Sequence, residues 1–445
     1  MDIKNFIDSI VKRNTIRFFM PGHKGLGNAM LHYDVTELDG MDNLHLPQGI
    51  IRTAQKKASS AFGALHTFFC VNGSSIGVHT LIMSTCNRGD TLIVDRGCHI
   101  SVINALVLND VRPVFVYPKY NKEFGINSSI TPEDVADAIH KNPNAKGVLI
   151  TSPTYYGVCS DVSSIASFAH EHNMPLIVDE AHGAHFCFNK DLPPASLECG
   201  ADGVVQSAHK TLPCLTQGAF LHIGTNRIDL QRVQDNLNML HTTSPSYLIM
   251  LSIDSARAEM ERTGQARLKT LIANCNKVRK KLSATGVYRL LDKLPDMYDY
   301  DQTRIIINTE NAIDVQDRLR NNYNILVEMV DGANIVCIPT INNSKIDFCR
   351  LIRALSEIAK TLPPITPCEN LHNEPLPRAE MVIPPTQAYY SQTEAISPKN
   401  AVGKISARSV YKCPPCMPIL CPGEMITEAI SGRLEEDVIV VCNKN

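Results

Sequence analysis

The sequence predicts an α/β protein with three parts. The first is a three-layer αβα large domain on an open, mainly parallel sheet; a smaller α/β domain and a C-terminal module follow. Three observations carry this reading. Between about residues 60 and 225, short β-rich apolar runs alternate with helical patterns. The runs are continuously apolar, as in strands covered on both faces. A Pro-rich stretch, Pro363 to Pro385, then divides the chain from a short apolar-ended segment.

Taken in order, the expected strands are Thr67–Val71, Thr91–Val94, Arg112–Val116, Gly147–Thr151, Leu176–Val178, Gly203–Gln206 and Gly218–Ile223. Helical spacing appears between them, for example at Ser75–Ser84 and at Asp161–His172, where Asp161 is placed to cap. Alternating β and α elements argue for a parallel sheet, whose ligands bind at the carboxyl ends of strands. Pro245–Leu282 reads as one long helical region broken near Gly264. Arg304–Asn308 and Ile335–Pro339 are expected strands of the smaller domain, with helices at Asp314–Asn321 and Lys345–Lys360. Beyond the Pro-rich stretch come a short helix at Ser397–Val402 and an apolar end, Val438–Val441. The expected divisions are 1–245, 246–362, a linker at 363–386, and 387–445.

A chain of 445 residues is too long for one ordinary core. Its 44% hydrophobic and 20% charged content is that of a globular protein. A net charge of −2 gives no general attraction to nucleic acid or to an anionic membrane. No apolar run reaches the ~18 residues of a bilayer span. Met1–Thr15 lacks the apolar core of a signal peptide, so a cytoplasmic location is expected. The fifteen Cys are then expected as reduced thiols. Cys413-Pro414-Pro415-Cys416, with Cys421 nearby, is a single pair and a weak metal signal, so no metal is expected.

Every chemical motif falls at a strand end. Asn72-Gly73-Ser74-Ser75 joins a strand to a helix, where hydroxyls and a helix N-terminus suit a phosphate; the alternative is a capped β–α turn. His99, after Thr91–Val94, is placed to lie against an aromatic cofactor, or is an ordinary loop histidine. Asp179 ends an apolar strand and needs a partner there. A protonated pyridine nitrogen would serve, as would a salt bridge or a cap. His182 and His185 follow, three apart, without the H-E-x-x-H order of a metal helix. Lys210, in Ser207-Ala208-His209-Lys210, is poorly placed for solvation, and partial burial would make its amine a nucleophile. Thr242-Thr243-Ser244-Pro245 introduces the long helix, as a cap or as a further phosphate hydroxyl.

At these residues the chain resembles the ornithine/lysine/arginine decarboxylases, pyridoxal-phosphate enzymes of fold type I. The resemblance runs nearly end to end. It includes Pro21-Gly22-His23-Lys24-Gly25, Asp42-Asn43-Leu44-His45, Asn72-Gly73-Ser74-Ser75, Cys98-His99 and Ser152-Pro153-Thr154-Tyr155-Tyr156-Gly157. It continues through Asp179-Glu180-Ala181-His182-Gly183-Ala184-His185, Ser207-Ala208-His209-Lys210 and Pro422-Gly423-Glu424-Met425. The resemblance implies that Lys210 carries pyridoxal 5'-phosphate as a Schiff base and that Asp179 pairs with the pyridine nitrogen. It implies His99 stacked on one face of the ring, Ala181 on the other, and His182 among the cofactor contacts. Ser74, Ser75, Ser207 and His209 would surround the phosphate, with Thr243 completing it from a neighbouring subunit of a homodimer. Glu424 would meet the cationic end of the substrate. Ile100 and Cys416 depart from the family's usual Lys and Gly.

The implied reaction is α-decarboxylation of a basic amino acid, with arginine first and lysine or ornithine behind it. His209 or Lys210 would return a proton to Cα. An aminotransferase of the same fold, or a non-catalytic relative, are the competing classes; intact Lys210 and Asp179 count against the second.

Overall fold

The computed structural model describes residues 3–11, 16–37, 41–364, 374–413 and 416–442. The N-terminal segment and the Pro-rich stretch therefore lie partly outside the described residues (1–2, 12–15 and 365–373), as does Pro414-Pro415.

Seven strands form the main sheet. They are β1 (His66–Cys70), β2 (Thr91–Asp95), β3 (Arg112–Val116), β4 (Val148–Thr151), β5 (Leu176–Asp179), β6 (Gly203–Gln206) and β7 (Ala219–Ile223). Their order is β1-β7-β6-β5-β4-β2-β3. From β3 to β6 every neighbouring pair is parallel. β7 runs antiparallel to both its neighbours, because the link from β6 carries a four-residue helix instead of a full crossover helix.

Helices α1 (Gly73–Thr85) and α2 (Ile100–Asn109) cover one face. Ile76, Leu81, Val102 and Leu106 pack there with Leu92, Val94, Leu149 and Val205. Helices Pro132–Lys141 and Val162–Glu171 cover the other, bringing Val135, Ile139 and Ile165 against Ile93, Ile150 and Val178. Successive residues of one strand, Leu92 and Ile93, thus serve opposite cores, which is why the strand reads as unbroken apolar sequence. Asp161 caps its helix as expected, accepting from the Ser164 N–H at 3.0 Å.

The short helix α3 (Ala208–Thr211) follows β6. The long helix α4 runs unbroken from Tyr247 to Ser283. This corrects the expected break at Gly264. A Cβ there would meet Met260 Cε and Phe188 Cβ at 3.2 Å, so the glycine permits close packing within an intact helix.

A second sheet follows, of β8 (Arg289–Leu290), β9 (Ile305–Asn308), β10 (Met329–Asp331) and β11 (Asn334–Cys337). It is antiparallel, in the order β8-β9-β11-β10. Helices Ala312–Tyr323 and Lys345–Ala359 accompany it, the second opened by a capping box of Ser344 and Asp347. In the C-terminal segment, β12 (Thr393–Ile396) pairs with the apolar end β15 (Val438–Val441), and β13 (Val410–Lys412) with β14 (Met417–Leu420). The helix expected at Ser397–Val402 is only a 3-10 turn, Pro398–Asn400, and Gly403 follows in the left-handed conformation. Among the described residues no helix is long and apolar enough to cross a membrane.

Candidate active site

The carboxyl ends of β2, β4, β5 and β6 open onto a cavity of about 270 Å³. Its wall includes Ser74, Asp95, His99, Thr151, Tyr155, Tyr156, Asp179, Ala181, His182, Lys210, Cys416 and Met417. Residues separated by more than a hundred positions meet here because parallel strands finish at one edge.

Lys210, on α3, points its Nζ to within 3.1 Å of His182 Nε2. Burial pushes the Lys210 pKa below the usual lysine range, and the Asp179 charge only partly restores it. Asp179 is buried at the end of β5, and its carboxylate accepts the Ala181 N–H at 3.2 Å. Its carboxylate keeps acceptor capacity toward the cavity. His99 caps α2, with Nδ1 accepting from the Ser101 N–H at 3.1 Å. Burial lowers its pKa, and with Nδ1 accepting, a neutral ring carries its proton on Nε2. The Ser207 hydroxyl donates to Ser74 Oγ at 2.7 Å, at the N-terminal turn of α1. Gly73, in the left-handed conformation, turns the chain there.

Several carboxylates close around this frame. Asp95 accepts from the Gly97 and Thr151 N–H groups, and burial pushes its pKa up to about 6. Glu180 points away from the cavity to Ser196 and Gln206, and burial pushes it up to about 7 against those donors. Tyr155 donates to Glu328 at 2.6 Å and Tyr156 to Asp331, so the second sheet is tied to the cavity wall.

Of the expected residues, Lys210, Asp179, His99, His182, Ala181 and Ser74 share the cavity, and Ser207 adjoins it through Ser74. Ser75 is exposed on the first turn of α1. Thr243 is exposed on a loop whose neighbour Thr242 donates its N–H to Asn72 Oδ1 at 3.4 Å. Three expectations need correction. His209 Nδ1 hydrogen-bonds the Gly218 carbonyl at 3.1 Å and is not on the cavity wall, so it is not placed to protonate a substrate carbon. Glu424 is fully buried and gives both oxygens to Arg96, at 3.1 Å each. It is therefore not placed to meet a substrate. Cys413 and Cys416 are joined as a disulfide, not reduced thiols, and Cys416 lies on the wall. Sequence reasoning missed Asp95, Arg304 and Met417. Asp95 ends a strand just as Asp179 does, and that signal was available.

An aldehyde cofactor bearing a phosphate and a basic ring nitrogen would find its needs met by these side chains. The nitrogen would have Asp179, the aldehyde Lys210, the ring face His99, and the phosphate the hydroxyls at the α1 N-terminus. Fold and site together define a class, the pyridoxal-phosphate-dependent enzymes of fold type I.

Comparison with known proteins narrows the class. Residues 7–297 match the family model of the Orn/Lys/Arg decarboxylase major domain. The chain is 37% identical to an arginine decarboxylase of Bacillus subtilis, over 94% of this chain and 89% of that one. It is 35% identical to an arginine decarboxylase of Halalkalibacterium halodurans, over 96% and 91%. The constitutive lysine decarboxylase of Escherichia coli superposes with a TM-score of 0.80 at 21% identity, covering 96% of this chain and 76% of that one. The chain belongs to the Orn/Lys/Arg decarboxylase family.

Proposed function

We propose that the protein removes the α-carboxylate of a basic amino acid, converting arginine to agmatine and carbon dioxide. The half-buried Lys210 amine, sharing one cavity with the buried Asp179, carries this reading. The similarity to arginine decarboxylases at 34–37% identity supports arginine over lysine or ornithine.

Pyridoxal phosphate, when bound, supplies the electron sink that accepts the pair left as the Cα–carboxylate bond breaks. The chain's own residues supply orientation and electrostatics. Asp179 would hold a positively charged ring nitrogen in the cavity. His99 and Ala181, both on the cavity wall, would contact the ring, and Ser74 and Ser207 would hold its phosphate beside α1. The Lys210 amine is the group on the wall suited to return a proton to Cα. Tyr155 and Tyr156 line the same cavity and tie it to the second sheet. We further propose a cytoplasmic homodimer that brings Thr243 of one subunit to the phosphate of the other, acting in polyamine synthesis.

The test is to incubate cofactor-loaded protein separately with arginine, lysine and ornithine and identify the products. Agmatine with stoichiometric carbon dioxide is expected from arginine, with much slower release from the other two. Accumulation of a keto acid, with no amine formed, contradicts the proposal.

A further inference from the structure

We propose that Arg304 is a positioning residue that fixes the His182 imidazole with its proton on Nε2, aimed at the Lys210 amine. The inference rests on Lys210 being the cofactor-bearing amine.

Arg304 immediately precedes β9 of the second sheet, yet its side chain reaches the strand ends of the first and is 1% exposed. Its Nη2 lies 2.9 Å from His182 Nδ1 and 3.3 Å from the His182 carbonyl oxygen. A guanidinium only donates, so Nδ1 accepts. Asp301, fully buried, lies 3.7 Å from Arg304 Nε and also faces His185 at 3.3 Å. Burial would raise the Asp301 pKa, but His185 and Arg304 outweigh it and the carboxyl is held below its usual range. Thr303 donates its hydroxyl to the same carboxylate at 2.7 Å. The Arg304 stem is fixed as well. A Cβ on Gly157 would lie 2.7 Å from Arg304 Cγ, so the glycine, at φ +92°, leaves the room the arginine fills.

The charge of His182 follows from its surroundings. Burial, then the Lys210 and Arg304 cations, then His99 and His185, push its pKa well below the usual histidine range. The ring edge of Tyr155, with centroids 4.9 Å apart, completes the enclosure. A neutral imidazole whose Nδ1 lone pair is already engaged carries its hydrogen on Nε2. That N–H faces Lys210 Nζ at 3.1 Å. Only a neutral amine has a lone pair to accept it, and the neutral amine is the form that bonds to an aldehyde. Without Arg304, His182 is free to adopt the other tautomer and accept a hydrogen bond from a Lys210 ammonium.

The test uses apoprotein, without cofactor or substrate. Trace acylation with acetic anhydride across a pH series, read at the Lys210 peptide by mass spectrometry, gives the titration of that amine. Arg304→Met is expected to move the midpoint up by about one pH unit, slowing labelling near neutral pH roughly tenfold. Arg304→Gln keeps an N–H toward Nδ1 but loses the charge, and is expected to fall between Met and wild type. Equal shifts in the two variants would assign the effect to charge alone and overturn the tautomer proposal, as would no shift in either. A second readout needs no arginine variant. Nitrogen-15 spectra of histidine-labelled apoprotein, with His182 assigned by its loss in His182→Gln, should show Nδ1 bare and Nε2 protonated. The reverse overturns the proposal. Neither readout involves decarboxylation, so a negative result in them leaves the proposed reaction standing, and failure of the reaction leaves these results interpretable.

Discussion

Lys210→Ala is expected to lose more than about 10⁴-fold in turnover, because it removes both the proposed covalent anchor and the proposed proton carrier at one stroke. The fold should survive. Burial already disfavours the Lys210 charge, so alanine removes a poorly solvated amine without stripping a partner from a buried ion pair. Thermal unfolding of the apo variant should match or exceed that of wild type, and the loss of activity can then be read as chemistry. The visible absorbance of lysine-bound cofactor should disappear with the activity. A variant that keeps more than about a hundredth of wild-type turnover would show that a group other than Lys210 anchors the cofactor and carries the proton.

The largest expected effect on stability lies at Glu424→Gln. Arg96 and Glu424 are both fully buried and meet through two hydrogen bonds of 3.1 Å. Arg96 also donates to the Pro418 and Ile419 carbonyls, and Glu424 accepts from the Cys421 N–H at 2.7 Å. The pair thus ties the C-terminal segment to the end of β2. Gly423, beside it, sits at φ +89°, where a Cβ would lie 2.1 Å from the Ile383 carbonyl oxygen. Removing one charge of such a pair leaves the other buried and uncompensated, at a cost of about 3–5 kcal/mol. Denaturant unfolding should register that loss, and Arg96→Met combined with Glu424→Met should recover part of it. KM should move little in the Gln variant. A rise of more than about tenfold in KM with unchanged unfolding would instead return Glu424 to substrate binding.

The parallel sheet was legible because each strand is apolar on both faces, and runs such as Leu92-Ile93-Val94 admit few other readings. The positions of Asp179, His99 and Lys210 followed, since strand ends in such a sheet share one edge. Chain direction at β7 was not legible, because an apolar run carries no sign of its polarity. Gly264 misled because a glycine that weakens an isolated helix also allows close packing, and only the neighbours Met260 and Phe188 decide between them. Glu424 and His209 misled for a related reason. Residue type and motif place a side chain in a region, but its partner is chosen in three dimensions, in these two cases Arg96 and the Gly218 carbonyl. Arg304 was invisible as a candidate site residue because it lies just before a strand of the second sheet, far along the chain from every motif near it.

The central claim is that one amine, on α3, holds the cofactor. Borohydride reduction of cofactor-loaded protein, followed by peptide mapping, tests it most directly. The cofactor is expected on the peptide containing Lys210 and to be absent from that peptide without reductant. Label on any other lysine, or none in folded and saturated protein, contradicts the claim.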